Sequence, residues 1–84
     1  MNDASIKSII VDLGDNGNIS FTYGIPISGI HIEDSKNSSP NYYDYVEIWY
    51  DDIDKSYKIG IRGLSISQGI IYKSLVRTAI IFYI

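Results

Sequence analysis

The sequence predicts an α+β domain, a small antiparallel sheet of about five strands built from two hairpins, with one C-terminal helix packed on it. Three observations lead to this fold class. Alternating apolar residues, typical of half-buried strands, occur on both sides of a turn in residues 9–23 and again in residues 46–61. Apolar residues in 71–83 instead recur with the period of a helix. The chain also contains 18 Ile and three Leu, and the β-branched Ile side chain favours a pleated sheet.

The length and composition of the chain predict a single domain over residues 1–84. Its 84 residues are too few for two separate cores, and 45% of them are hydrophobic, which is enough to fill one core. The chain contains no Cys, so neither disulfides nor thiolate metal sites are available to stabilise it. The N-terminus lacks a long apolar stretch, and no apolar run reaches the roughly 20 residues of a membrane span. We therefore expect a soluble cytoplasmic protein without a membrane partner.

The charges are divided unevenly along the chain. The formal net charge is −3, yet all ten acids lie at or before Asp54 and five of the seven bases lie after it. Such asymmetry can indicate a nucleic-acid or membrane partner. The interpretation we favour is that the two halves of the chain pair with each other inside one fold.

The first hairpin is predicted for residues 9–23, around a turn at Asp15, Asn16 and Gly17. A three-residue loop with Gly in the left-handed position would place both apolar sets on one face. The predicted pairs are Leu13 with Ile19, Val11 with Phe21, and Ile9 with Tyr23. These two strands would form one half of the sheet.

A third strand is predicted for residues 27–33, in which Ile30 and Ile32 alternate with polar neighbours. Pro26 has no N–H group to donate, so it fits the start of a strand or an edge strand. Residues 34–41 are polar and rich in turn-forming residues, and we expect them to form the longest and most mobile loop.

The register of the second hairpin follows from its own pattern. A four-residue turn over residues 52–55 pairs Tyr50 with Tyr57, Ile48 with Ile59, and Val46 with Ile61. Both rows then face the core, and a shift of one residue would turn one row outward. On the other face, Trp49 lies opposite Lys58 and Tyr45 lies opposite Arg62, within reach of cation–π contacts.

The C-terminal segment is predicted to form a helix over residues 68–80, with Ser67 as its N-cap. Gly69 weakens the first turn of such a helix, and the Ile-rich end of the segment would also suit a strand. The last six residues, AIIFYI, carry no charged side chain and would promote aggregation if they were exposed. We expect them to be buried, either on the sheet of their own domain or against a second copy of the chain.

No residue pattern in the chain indicates catalysis. His31 is the only His and lies between two Ile in the third predicted strand, away from any recognisable acid and base pair. The phosphate-binding and metal-binding motifs that sequence reading can recognise are absent. We therefore expect a non-enzymatic protein with no catalytic residue, no bound metal and no cofactor, and its pI of about 4.7 argues against direct nucleic-acid binding.

The function that the sequence favours is binding to another protein through the second hairpin. Tyr, Trp and Arg dominate interface hot spots, and acidic residues nearby would attract a basic partner. The residues predicted to bind the partner are Tyr43, Tyr45, Trp49, Arg62, Asp44, Asp51, Asp52 and Asp54. A protein that normally holds nucleic acid is the natural candidate, with the four aspartates in the place of phosphates.

In its small size, acidity and lack of Cys, the chain resembles the small inhibitor proteins that phages and other mobile elements use against host defence, anti-CRISPR proteins among them. The resemblance concerns composition rather than any stretch of residues, and it implies inhibition in the cytoplasm of a host cell. The alternative is a self-associating structural or accessory domain. Its contact would be the aromatic face of the second hairpin or the C-terminal AIIFYI segment, through which a homodimer could form.

Overall fold

The computed structural model describes residues 5–14, 17–32, 42–74 and 76–84, and these form two antiparallel β-sheets. The strands are β1 (Lys7–Asp12), β2 (Asn18–Phe21), β3 (Pro26–Ile32), β4 (Tyr42–Asp51), β5 (Ser56–Ser65), β6 (Ile70–Lys73) and β7 (Thr78–Tyr83). Within the described ranges there is no helix, and therefore none that is long and apolar enough to cross a membrane. The antiparallel sheet predicted from the sequence is confirmed, whereas the α+β class is wrong.

The first sheet contains three strands in the order β1-β7-β3, so that the C-terminal strand lies in its centre. β7 runs antiparallel to both neighbours, with Ile81 beside Ile9 on one side and Gly29 on the other. The second sheet is organised around β5, which pairs with β4 along its whole length. On its other edge β5 pairs first with β2 and then with β6, which share that edge end to end.

The predicted first hairpin is wrong, although its apolar alternation is real. Instead of pairing with each other, β1 pairs with β7 and β2 pairs with β5. Gly14 and Gly17 have positive φ angles of 64° and 78°, so the chain can turn out of one sheet and into the other. The backbone N–H of Leu13 donates to the carbonyl of Arg77, which extends the β1–β7 pairing by one step.

The predicted helix over residues 68–80 is also wrong, because this segment forms β6 and β7. A tight turn at residues 66–69 precedes β6, and Gly69 closes it with a φ of 68° and a hydrogen bond from its N–H to the carbonyl of Ser65. In β7 the backbone gains hydrogen-bonded neighbours on both sides, which a helix packed on the sheet would not provide. Tertiary pairing therefore overrides the helix-like spacing of the apolar residues.

The second hairpin has the predicted register, and this prediction is confirmed. Tyr50 pairs with Tyr57, Ile48 with Ile59 and Val46 with Ile61, around the turn at residues 52–55. The third strand, predicted for residues 27–33, is β3, and it begins at Pro26 as expected. The predicted loop at residues 34–41 lies outside the described residues.

One hydrophobic core fills the space between the inner faces of the two sheets. Its buried side chains are Val11, Leu13, Phe21, Ile59, Ile61, Val76, Ala79 and Ile81. The sheets approach each other closely where Gly29 of β3 faces Val46 of β4, since a Cβ atom on Gly29 would lie 2.8 Å from Val46 Cγ1. The expectation that the C-terminal AIIFYI segment is buried holds for Ala79 and Ile81, whereas Ile80 and Phe82 lie on the opposite face of β7 and are half-buried.

Candidate protein-binding surface

The alternation of β4 places one row of side chains on the face of the second sheet that points away from the core. This row contains Tyr43, Tyr45, Glu47, Trp49 and Asp51, whose partners on β5 include Lys58 and Arg62. We call the surface formed by Tyr43, Tyr45, Glu47, Trp49, Lys58 and Arg62 the outer hairpin surface. Five of the eight residues predicted to bind a partner therefore lie on this face, and four of them, the three aromatic residues and Arg62, belong to the outer hairpin surface.

Arg62 is held within the outer hairpin surface by contacts to three other residues. Its guanidinium lies 5.3 Å from the centre of the Trp49 ring, its Nε is 3.2 Å from Glu47 Oε1, and its Nη1 donates to the carbonyl of Gly17 at 3.2 Å. The side chain is only 20% exposed, so most of it is unavailable to a partner. The predicted cation–π contact of Arg62 thus forms with Trp49 rather than with Tyr45, which lies directly opposite.

The Arg62 side chain can reach Trp49 because Gly60 has no side chain. Gly60 lies two residues before Arg62 on β5 and opposite Glu47 on β4. The Arg62 side chain crosses the Gly60 backbone, and a Cβ atom added there would lie 2.6 Å from Arg62 Nη1. Arg62 therefore packs against the Trp49 ring and forms an ion pair with Glu47.

Lys58 is also used within the chain. Its Nζ donates to Asp54 Oδ2 at 2.8 Å and to Ser20 Oγ at 2.8 Å, rather than lying over the Trp49 ring that faces it across the hairpin. Ion pairs between Lys58 and Asp54, Arg62 and Glu47, and Arg77 and Asp12 all join a base of the second half of the chain to an acid of the first half. The expectation that the two halves pair inside one fold is confirmed by these contacts.

Asp51 organises the acidic turn at the end of the outer hairpin surface. Its Oδ1 accepts hydrogen bonds from the backbone N–H groups of Ile53 at 2.8 Å and Asp54 at 3.1 Å. These bonds stabilise the carboxylate, so the pKa of Asp51 lies below its usual value. Asp51 is bonded to the backbone of the turn, and Asp54 is paired with Lys58. Asp52, the remaining predicted site residue of the turn, is exposed and shows no such bond.

Asp44 lies away from the outer hairpin surface. As an even-numbered residue of β4 it belongs to the row that faces inward, opposite Gly63. Its Oδ1 accepts a hydrogen bond from the hydroxyl of Ser74, whose Oγ in turn accepts one from the backbone N–H of Val76. Asp44 therefore stabilises the connection between β6 and β7, and the structure does not bring it together with the other predicted site residues.

Two apolar residues that sequence analysis did not include extend the outer hairpin surface. Leu64 lies opposite Tyr43, and Ile71 of β6 lies beside Leu64, so the three side chains form one row across the sheet. Tyr43 is 62% exposed and Ile71 is 59% exposed. The sequence pattern predicts a helix at Ile71, and only the pairing of β6 with β5 places it in this row.

The described residues contain no group of three or more His, Asp and Glu side chains arranged to hold a metal ion, and no pocket is found among them. His31 lies on the inner face of β3, next to Ala79, and is half-buried. The outer hairpin surface is thus a sheet face rather than a cavity. Comparison of the chain with models of protein families, with curated proteins and with solved structures finds no significant match.

Proposed function

We propose that the chain is a small non-enzymatic module that binds and inhibits another protein through the outer hairpin surface. The observation that carries the proposal is the single face on which Tyr43, Tyr45 and Trp49 lie together, flanked by Leu64 and Ile71. Large aromatic side chains on a sheet face supply much contact area while losing few rotatable bonds, and they are enriched in interface hot spots. Continuous β4 and β5 strands hold these rings in place before binding.

The electrostatics of the surface favour a protein partner over a nucleic acid. An aromatic and basic nucleic-acid site would offer Lys58 and Arg62 to phosphates, but Lys58 is bonded to Asp54 of the adjoining turn and Arg62 to Glu47 of the same surface. The adjoining turn carries Asp51, Asp52 and Asp54 against a single base, Lys55. We therefore propose a partner with a basic patch beside an apolar one, of the kind found on proteins that bind nucleic acid.

The setting that fits this proposal is anti-defence inhibition by a phage or another mobile element in the cytoplasm of the host cell. A protein that blocks a nucleic-acid-binding site needs little more than a rigid, complementary surface. The small size, the acidity and the lack of Cys of the chain suit this function. The inhibitor proteins that the chain resembles in type share these features.

The proposal is tested by affinity capture from a lysate of the source cells, followed by a nucleic-acid binding assay on the captured protein. We expect the wild-type chain to retain a partner and to weaken that partner's binding to nucleic acid. The Tyr43→Ala variant and the Tyr45→Ala/Trp49→Ala variant should both lose the partner, since they remove the aromatic rings of the outer hairpin surface.

Tyr23→Ala is the matched control for Tyr43→Ala, because Tyr23 is 60% exposed but lies outside the outer hairpin surface. This control should retain the partner. Equal retention by the wild type, the control and both aromatic variants would contradict the proposed surface. A partner that is lost with the aromatic variants but keeps its full affinity for nucleic acid would leave the binding surface in place and contradict the inhibition.

A further inference from the structure

The face of the three-stranded sheet that points away from the core carries large apolar residues at five of its nine positions. Its residues form three rows across β1, β7 and β3: Ile10, Ile80 and Ile30; Ser8, Phe82 and Ser28; Asp12, Thr78 and Ile32. Ile10 and Ile30, the outer members of the central row, are 65% and 57% exposed. Asp12 is the one charged residue in these rows, and it lies at their end, with Oδ1 at 3.9 Å from Arg77 Nε.

We propose that this face is the contact of a homodimer, in which the three-stranded sheets of two copies pack face to face. The inference goes beyond the proposed function, because it concerns a different surface and a different partner. It also goes beyond the C-terminal segment taken alone, since Ile80 and Phe82 form only the middle of a face whose sides are supplied by β1 and β3.

The first argument for a second copy is the size of the face. By the alternation of β1 and β7, Ile6 and Ile84 fall on this face just past the ends of the strands. The five exposed isoleucines, Ile6, Ile10, Ile30, Ile32 and Ile84, together leave roughly 500 Å² of surface open, which is comparable to the largest apolar patch on a typical monomer. Two copies would bury about 1,000 Å² in this way, the lower limit of a specific interface, before Phe82, Ile80 and the Ser side chains are added. The area therefore suffices for a dimer.

The second argument is that the face complements itself. A two-fold axis parallel to β7 places Ile80 and Phe82 against the same residues of the second copy, and it places Ile10 against Ile30. Small Ser side chains flank Phe82 on both sides, which leaves room for the larger side chains to interdigitate as in packed β-sheets. The near absence of charge offers little to orient a charged partner, whereas an identical copy can cover the face without burying an unpaired charge in its centre.

Such a dimer leaves the outer hairpin surface accessible. That surface belongs to the other sheet and lies on the opposite side of the core, so a dimer through the three-stranded sheet would present two copies of it, one on each outer side. A partner with two matching sites would then be held more tightly than one hairpin surface could hold it.

The test is sedimentation equilibrium of the full chain over a wide range of concentrations, with Ile30→Lys as the main variant. We expect the wild type to approach twice its chain mass of 9.5 kDa and the variant to dimerise at least about tenfold more weakly, because an ammonium group would enter the interface. Ile53→Lys is the matched control, since Ile53 is 91% exposed in the hairpin turn, and it should dimerise as the wild type does.

A second variant, Ser28→Lys, tests the same face in case Ile30→Lys does not fold, since Ser28 is exposed and lies in the row of Phe82. Circular dichroism and thermal unfolding of both variants at low concentration should match those of the wild type. A wild type that stays monomeric at every concentration would overturn the proposal, whether or not the face then proves to bind a different protein. Dimers that persist in folded Ile30→Lys and Ser28→Lys would overturn it as well.

Discussion

The guanidinium of Arg62 lies over the backbone of Gly60, so closely that a Cβ atom at Gly60 would lie 2.6 Å from Arg62 Nη1 and 2.9 Å from Cζ. From that position Arg62 reaches both Trp49 and Glu47. The arrangement of the outer hairpin surface thus depends on a residue that has no side chain.

Gly60→Ala should displace Arg62 and change the environment of Trp49, the only Trp of the chain. The Arg62 side chain can move aside, so we expect a net change in the free energy of unfolding within about 1 kcal/mol, because the lost contacts are offset by the reduced entropy of the unfolded chain. The fluorescence emission of Trp49 should shift, since the cation leaves its ring.

A double-mutant cycle separates these two effects of Gly60→Ala. In the Arg62→Ala background the same change should stabilise the protein by about 0.5 kcal/mol, because no guanidinium is left to displace. Urea unfolding of the four proteins measures the coupling. Strictly additive effects, together with an unchanged Trp49 emission, would show that Arg62 does not occupy the space above Gly60.

Gly29→Ala should destabilise the protein by about 1 to 3 kcal/mol, through overpacking between the two sheets. Its new Cβ would lie 2.8 Å from both Val46 Cγ1 and Ile81 Cδ1. Urea unfolding measures the loss, and Ser28→Ala, at the neighbouring exposed position, should change the stability by less than about 0.5 kcal/mol. In a Val46→Ala background the cost of Gly29→Ala should shrink, and an undiminished cost would mean that Val46 is not the limiting contact.

Ile81→Ala and Ile80→Ala should differ sharply, because adjacent residues of a central strand face opposite sides. Ile81 is fully buried in the core, and its truncation should cost about 2 to 5 kcal/mol, whereas half-buried Ile80 should cost less than half as much. Urea unfolding at low protein concentration, where self-association does not contribute, gives both values. Equal losses would contradict the placement of β7 between β1 and β3.

The contrast between the two hairpin predictions shows what could be derived from the chain alone. For β4 and β5, the alternation and a four-residue turn leave one register in which both apolar rows face the core, and that register is observed. For β1 and β2, the alternation identifies the inward residues, but it contains no information on the partner strand. The partner of β1 is β7, about 70 positions away in the chain, and the positive φ angles of Gly14 and Gly17 serve a crossing between sheets rather than a hairpin.

In the C-terminal segment the apolar residues recur with the period of a helix, but the hydrogen-bonding partners of β7 are β1 and β3, which are distant in the sequence. Ala79 and Ile81 enter the core from β7, and Val76 enters it from the residues just before β7. The spacing of these residues along the chain does not distinguish this arrangement from a helix. The same distinction applies to the candidate site, part of which could be predicted from the sequence and part of which could not. The row of Tyr43, Tyr45 and Trp49 follows from alternation within one strand, whereas the path of Arg62 depends on three-dimensional contacts to residues on other strands.

Asp51 links the acidic turn to the pH dependence of stability. The two backbone N–H groups that donate to its Oδ1 favour the ionised carboxylate, so the pKa of Asp51 in the folded chain lies below its value of about 3.8 in the unfolded chain. A group with a lowered folded pKa binds fewer protons in the folded state. Its contribution to stability is therefore fully present above the unfolded pKa and is lost as the pH falls through the folded pKa.

We expect Asp51→Asn to be less stable than the wild type at neutral pH, and the difference to shrink as the pH falls below about 4, because the amide can still accept a hydrogen bond but cannot ionise. Urea unfolding of both proteins over a series of acidic pH values measures this. Ile53→Ala, at the exposed tip of the same turn, should keep a constant difference from the wild type over that series. A constant difference for Asp51→Asn as well would show that the two backbone hydrogen bonds do not depend on the charge of Asp51.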